Sequence, residues 1–248
     1  MKMKKYLPLI LLGIGLLLVV GVFVFVRSRN KTSDEDIEEE TALLEVDLKD
    51  RPVVSLIPSE DGHYLTLKLD KITFTAATVD YLLLYDTAAD VQQGVPGTVQ
   101  LAGLKSFEEK LLLGSESAGK FRYDDGVSTG SITLDFRNEE GKLLVKFMSD
   151  FHLQKASSNL STQDESFKYQ PEDAGENFFV SMPTVGYPGD SELDIDQGPF
   201  GIFASTNDKL PGKVEMKGSN VYRWNGGGWD KLNNGSSQNI GIFYSSSK

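Results

Sequence analysis

Three stretches of the chain carry residue types that could bind a ligand or do chemistry. One places aromatic residues on both sides of a three-glycine turn, with Tyr222, Trp224 and Trp229 as its large rings. Rings that face one another across a hairpin pack as core, whereas exposed rings stack on sugars or anchor a partner protein. Cross-strand packing is the simpler interpretation, and these three residues are the candidates for ligand or partner contact.

The second stretch has four carboxylates at every second position before Gly198, a spacing that places them on one side of an extended segment. Hard cations such as Ca²⁺ prefer carboxylate oxygens, so these residues are candidate metal ligands. The segment lacks the glycine and the terminal glutamate of an EF-hand loop, and Leu193 and Ile195 alternate with the acids. A solvated strand is therefore favoured, and no metal or other cofactor is expected. The four acids are Asp190, Glu192, Asp194 and Asp196.

The third stretch runs from Gly114 to Lys120 and fits the G-x-x-x-x-G-K part of a P-loop. Phe121 replaces the Ser or Thr that would bind Mg²⁺, and Glu116 would lie among the phosphates. A strand and a turn follow where a P-loop requires a helix. The sequence therefore predicts a hairpin loop here and no nucleotide site.

Other catalytic patterns do not occur in the sequence. There is no cysteine, which excludes thiolate nucleophiles and disulfides, and no serine lies in a G-x-S-x-G motif. The two histidines, His63 and His152, are expected at the surface. Paired carboxylates for sugar hydrolysis would meet in space rather than in sequence, and no pair stands out. We therefore expect a protein without enzymatic activity.

The charge of the chain is unevenly distributed. The first 31 residues hold six of the 25 basic residues and no acid, which leaves 19 basic and 36 acidic residues, a net charge of −17, in the rest. So negative a surface repels phosphate backbones, which argues against a nucleic-acid partner. Cations or basic patches on a partner fit better.

The N-terminal part contains an uncharged apolar run from Tyr6 to Val26, which as a helix is long enough for the roughly 30 Å hydrocarbon core of a bilayer. It predicts a short tail at 1–5 and a single transmembrane helix at 6–26. A cleaved signal peptide is the alternative, but its apolar run is usually only about 7 to 15 residues long. Basic residues flank both sides, and the amino terminus adds one charge. We therefore expect a cell-membrane protein with an extracytoplasmic C-terminal domain.

The remaining sequence predicts a mainly β protein. Residues 27–50 form a charged, acidic stalk, because like charges repel one another and keep the chain solvated. Residues 51–155 contain seven or eight short predicted strands separated by turn residues. Some of them alternate apolar and polar side chains, such as 63–70 and 131–137, and 80–85 is apolar on both faces, as expected of a central strand. This pattern indicates an antiparallel β-sandwich.

The C-terminal part begins with residues 156–176, whose polar residues, Pro171 and Gly175 predict a linker. Residues 177–248 are predicted to form a second, small β-rich module. Within it, Gly201–Ser205 and Gly241–Ser245 are near copies. A single recurrence is too few for a repeat architecture, so we expect two similar strands of one sheet.

By strand count and spacing, residues 51–155 resemble an immunoglobulin-like or fibronectin type III-like module of membrane-anchored bacterial surface proteins. The absence of cysteine and of tryptophan in this stretch brings the likeness closer to fibronectin type III. Such modules imply binding or spacing rather than catalysis. We expect a non-enzymatic binding or scaffold protein of the cell envelope, whose partner is an envelope protein or a glycan. The alternative is a carbohydrate-binding accessory protein at the cell wall, with Trp224 and Trp229 as its stacking platform.

Overall fold

The computed structural model describes residues 43–89 and 91–247, and most of their regular structure is β-strand. In these two ranges no helix is both long enough and apolar enough to cross a bilayer. The predicted tail at 1–5, the predicted transmembrane helix at 6–26 and most of the predicted stalk at 27–50 lie outside them. The chain from Leu44 to Lys248 forms one unit.

The first part of this unit follows the alternation seen in the sequence. A short 3₁₀ turn at Leu48–Asp50 precedes nine strands. They are β1 (Val53–Pro58), β2 (Tyr64–Asp70), β3 (Thr78–Asp86), β4 (Gln92–Gln100), β5 (Phe107–Leu112), β6 (Gly114–Ser117), β7 (Lys120–Tyr123), β8 (Thr129–Arg137) and β9 (Leu143–Lys155).

The second part contains shorter strands. They are β10 (Leu160–Ser161), β11 (Phe167–Pro171), β12 (Phe178–Pro183), β13 (Gln197–Ala204), β14 (Gly212–Met216), β15 (Asn220–Trp224), β16 (Trp229–Lys231), β17 (Ser236–Ser237) and β18 (Ile242–Ser246). All strand pairs in the described ranges are antiparallel. The prediction of a mainly β, antiparallel protein is confirmed.

The first core lies between a three-stranded sheet, β1-β2-β5, and one half of a nine-stranded sheet, where β4, β3, β8 and β9 are neighbours. Alternate residues point into it, so that β2 buries Leu65, Leu67 and Leu69. The half-buried Phe74 packs against this core and meets the fully buried Phe136 edge to face, with ring centroids 4.8 Å apart. Burying one such side chain contributes roughly 1.5 to 3 kcal/mol, and the alternation therefore decides which face each strand turns inward.

The second core lies on the opposite face of the nine-stranded sheet. Val180 packs in the first core and its neighbour Phe179 in the second, because successive side chains of a strand point to opposite faces. A four-stranded sheet, β10-β11-β14-β17, covers this face. Phe167 of β11 stacks on Phe200 of β13, with ring centroids 5.2 Å apart.

The two halves are joined through β9 and β12, which pair from Lys155 opposite Phe178 to His152 opposite Ser181. The order of the nine-stranded sheet is β16-β15-β18-β13-β12-β9-β8-β3-β4. The chain leaving β12 then pairs with β1, where the Val54 N–H donates to the carbonyl oxygen of Thr184 (2.9 Å). This pairing covers an edge of the three-stranded sheet, which would otherwise expose unpaired backbone groups.

Residues 156–176, predicted as a linker, instead contain β10 and β11. Phe167 and Tyr169 are fully buried in the second core. The polar residues of this stretch form the turn between the two strands, where the Thr162 hydroxyl donates to Asp164 (2.7 Å). They outnumber the alternating apolar residues, and composition alone therefore favoured a linker.

The two near-copy segments lie in β13 and β18, which are neighbours in the nine-stranded sheet. Gly201 lies opposite Ile242, and Phe200 lies opposite Phe243. Phe200 and Phe243 both face the second core, whereas Phe203, which corresponds to Phe243 in the repeated sequence, packs against the first core. The prediction that they are two strands of one sheet is confirmed.

Candidate binding sites

The tryptophan hairpin, residues 220–231, consists of β15, β16 and the turn between them. Trp224 and Trp229 lie directly opposite each other. The Asn225 side-chain oxygen shapes the turn by accepting hydrogen bonds from the N–H groups of Gly227 (2.9 Å) and Gly228 (2.8 Å). Close hydrogen bonding to two successive backbone groups fixes the turn, and so fixes the relative position of the two indoles.

The rings of the tryptophan hairpin continue onto β18. Trp224 and Trp229 meet at 62° with centroids 5.3 Å apart, and Trp229 meets Tyr244 at 83° and 4.7 Å. Tyr222 stacks on Tyr244, at 9° and 4.9 Å. Tyr244 is buried, whereas the three hairpin residues are half-buried. The structure therefore brings the three predicted contact residues together and leaves part of each exposed.

The connection from β12 to β13 lies against this aromatic cluster. The Tyr187 ring meets Trp229 at 6.4 Å. Gly189 approaches Trp224 so closely that a Cβ atom on the glycine would lie 3.3 Å from the indole. Lys71, in the segment after β2, stabilises this position of the connection by donating hydrogen bonds to the carbonyl oxygens of Tyr187 (3.0 Å) and Gly189 (2.5 Å). Gly189 thus covers one side of the Trp224 indole.

The four carboxylates considered as metal ligands lie further along this connection. Their backbone is irregular, so the predicted strand is wrong at this point. Leu193 and Ile195 are half-buried and the acids on either side of them are exposed, so this loop alternates in burial much as a strand would. Within the described ranges, no three His, Cys, Asp or Glu side chains converge to hold a metal ion. The exposed acids are Asp190, Glu192, Asp194 and Asp196.

The P-loop-like segment is a hairpin, as predicted. Its strands are β6 and β7, with Gly114 opposite Tyr123 and Ser117 opposite Lys120. Ala118 and Gly119, at φ values of 50° and 76°, form the tight turn. A helix N-terminus, which would supply the N–H groups that bind phosphate, does not follow.

This hairpin carries a surface that the sequence did not single out. The rings of His63, Tyr123 and Phe121, called here the ring stack, lie in nearly parallel planes. His63 and Tyr123 are 3.8 Å apart at 10°, and Tyr123 and Phe121 are 6.2 Å apart at 9°. Phe121 is 48% exposed and Tyr123 37%. The sequence signal for this surface is the spacing of Phe121 and Tyr123, which lie two residues apart on a short polar strand and therefore share one face.

A pair of carboxylates meets on β3 and β8, where Asp80 lies opposite Asp135. Arg137 contacts Asp80 at 2.7 Å, and Lys146 lies 3.7 Å from Asp135. Burial raises the pKa of Asp80, but hydrogen bonds from Thr98 and Arg137 outweigh burial and leave the pKa below its ordinary value. An acid that is ionised and paired in this way is poorly suited to donate a proton to a leaving group.

No protein-family model matches the chain, and no curated protein is significantly similar to it.

Proposed function

We propose that this chain is a non-enzymatic, single-pass membrane protein that binds or organises another component of the cell envelope through its exported β-rich part. The observation that carries the proposal is the tryptophan hairpin, at one edge of the nine-stranded sheet. Its three large aromatic side chains, Tyr222, Trp224 and Trp229, are held in fixed geometry and are only half-buried. Tryptophan and tyrosine are the residues most often responsible for binding energy at protein interfaces.

The proposed fold of residues 51–155 is a fibronectin type III-like sandwich. The strand order supports it, because the sheet β1-β2-β5 faces β4-β3-β8-β9. The first, second and fifth strands therefore form one sheet, and the hairpins β3–β4 and β8–β9 form the other. Modules of this kind typically present loops or edges to a partner and space them from their anchor.

The proposed anchor is the apolar run at 6–26, followed by the acidic stalk. We propose that the domain lies outside the cytoplasm, on the balance of flanking basic residues. Protease added to intact cells or spheroplasts should digest the domain. Protection of the domain in intact cells, with digestion only after lysis, would reverse the orientation.

The proposed partner is a protein with a basic surface, because the chain beyond residue 31 has a net charge of −17. Asp190 and Glu192 are exposed in the connection that lies beside the tryptophan hairpin. Carboxylates at the rim of an aromatic contact increase the association rate with a cationic partner and make it sensitive to salt.

Affinity capture from detergent-solubilised envelope, with the full chain as bait, tests the role of the tryptophan hairpin. Wild type should retain a component that the double variant Trp224→Ala, Trp229→Ala loses. Met148→Ala is the matched control, because Met148 is 65% exposed on a different strand. Equal capture by the wild type and the double variant would contradict the proposal.

The alternative function is a carbohydrate-binding accessory protein that acts at the cell wall. The half-exposed indoles favour it, since sugar rings stack on aromatic faces. Because both tryptophans of the chain lie in the hairpin, wall glycans bound there should quench or shift the fluorescence of the full chain. An unchanged spectrum with saturating glycan would remove this alternative and leave a protein partner.

A further inference from the structure

The ring stack has the properties of a ligand platform, and it stands apart from the tryptophan hairpin in the fold. Phe121 and Tyr123 belong to the β6–β7 hairpin, and His63 belongs to the turn between β1 and β2. Every residue from Ser115 to Tyr123 is exposed. Large rings that are exposed side by side on one surface mark a candidate binding site.

The rings are fixed by contacts below them. At the base of the hairpin, the Tyr85 hydroxyl donates to Asp124 (2.9 Å), and the Asp124 N–H donates to the carbonyl oxygen of Leu113 (3.0 Å). The Leu113 N–H in turn donates to the carbonyl oxygen of His63 (2.9 Å), which links the hairpin to the β1–β2 turn.

The β1–β2 turn is itself fixed by Asp61. Its carboxylate accepts hydrogen bonds from the Ser59 hydroxyl (2.6 Å) and from the His63 N–H (3.0 Å). A ligand that meets rings held in this way loses little free energy in ordering the protein.

The charges around the stack nearly balance. The turn and the hairpin with its base carry four acids, Glu60, Asp61, Glu116 and Asp124, and two basic residues, Lys120 and Arg122. Lys110 adds a third cation, 3.9 Å from the ring centroid of Tyr64. This local balance differs from the strongly negative remainder of the chain. It favours a ligand without net charge, whose hydroxyl groups can bond to either sign.

The shape of the site limits the class of ligand further. An apolar side chain from a protein partner gains most of its free energy in a concave pocket from which water is excluded. The ring stack instead lies on a hairpin whose residues from Ser115 to Tyr123 are all exposed, which suits a ligand that has flat apolar faces and a polar rim. Pyranose rings have this form, with C–H groups on their faces and hydroxyl groups at their edge.

We propose that the ring stack binds neutral sugar rings of a glycan chain, with Phe121 and Tyr123 as the stacking residues and His63 as the ring that positions Tyr123. This site is additional to the tryptophan hairpin and rests on the proposed function only in that the exported part is a binding module. A chain that carries both surfaces can hold a glycan and a second component at the same time.

The test measures by calorimetry the binding of two neutral probes to the full chain in detergent. The probes are a tetramer of β-1,4-linked glucose and a tetramer of N-acetylglucosamine. At least one probe should bind, and Phe121→Ala should weaken its binding by about tenfold, the effect expected for loss of one aromatic contact. Phe121→Trp should restore it, which separates stacking from folding. Leu104→Ala, an equally exposed apolar residue at 49%, should leave it unchanged.

Three outcomes would overturn the proposal. They are no binding of either tetramer at millimolar concentration, equal binding by Phe121→Ala, and loss of binding in Trp224→Ala but not in Phe121→Ala. The last outcome would place the glycan on the tryptophan hairpin. Unchanged capture of the envelope component by Phe121→Ala leaves the proposed function intact, so the two proposals can fail separately.

Discussion

Lys71 and Tyr187, 116 residues apart in the chain, are joined twice. The Lys71 Nζ atom donates a hydrogen bond to the Tyr187 carbonyl oxygen at 3.0 Å and lies 5.0 Å from the centroid of the Tyr187 ring. The same atom bonds to the carbonyl oxygen of Gly189. Through this one side chain, the segment after β2 holds the connection that lies against the tryptophan hairpin.

Replacing Lys71 with methionine keeps most of the side-chain volume and removes all three interactions. We expect a loss of about 1 to 2 kcal/mol in the free energy of unfolding, since hydrogen bonds from a charged donor are worth about 1.5 to 3 kcal/mol and this site is only partly buried. The connection should also move away from Trp224, shifting tryptophan emission to the red. Lys68→Met, on the adjacent strand, is the control and should leave the emission unchanged. An unshifted spectrum in Lys71→Met would contradict the role assigned to Lys71.

Two buried serines on neighbouring strands should respond to alanine in opposite directions. Ser181 in β12 is fully buried, and its hydroxyl has no hydrogen-bond partner in the part of the chain that the structure describes. Ser149 in β9 is also buried, but its hydroxyl donates to the carbonyl oxygen of Pro183 at 2.6 Å. Removing an unsatisfied polar group is favourable, whereas removing a donor leaves its acceptor unpaired.

We therefore expect Ser181→Ala to raise the free energy of unfolding by about 1 kcal/mol and Ser149→Ala to lower it by about 1 to 3 kcal/mol. Urea denaturation of the two variants measures both changes under the same conditions. Destabilisation by both substitutions would mean that the Ser181 hydroxyl is satisfied in solution.

The order of the ring stack should depend on pH through Asp61. Hydrogen bonds from Ser59 and from the His63 N–H hold the pKa of Asp61 below its ordinary value of 3.8. Because the folded-state pKa is lower than that of the unfolded chain, the stabilisation is complete above pH 3.8 and is lost as the pH falls through the folded value. NMR shifts of the His63 amide and the Tyr123 ring should follow this titration. In Asp61→Ala the transition below pH 3.8 should disappear from both signals; a transition of unchanged size would disprove the dependence.

The features that could be predicted from the sequence are those that depend on residues close together in the chain, such as strand alternation and hairpins. The alternation in β2 and β8 follows from the period of two in any strand, and Trp224 lies opposite Trp229 because a short turn leaves few registers open. The hairpin at 114–123 was predictable for the same reason, since glycine at the turn and polar residues in its strands are local signals.

The features that the sequence did not predict depend on residues from distant segments. His63 reaches Tyr123 only because β2 and β5 pair, and this pairing brings the turn before β2 beside the hairpin after β5. Alternation predicts a strand where the structure has the loop that holds Asp190, because alternation reports which side chains are solvated and not whether the backbone has a pairing partner. In the same way, no local signal in the sequence shows that β9 pairs with β12.

The pairing of β9 with β12 leads to the last prediction, which concerns the two cores. Phe136 fills the first core and Phe243 the second, and both are fully buried. Because one nine-stranded sheet forms a wall of both cores, we expect them to unfold together. Phe136→Leu and Phe243→Leu should each lower the free energy of unfolding by about 1 to 2 kcal/mol.

Both tryptophans lie beyond the second core, at 224 and 229, so their fluorescence reports on that half. In Phe136→Leu, the urea midpoint measured by tryptophan fluorescence should nevertheless fall to the same value as the midpoint measured by far-UV circular dichroism. If the fluorescence midpoint stayed at its wild-type value while the dichroism midpoint fell, residues 51–155 and 177–248 would be separate folding modules despite the shared sheet.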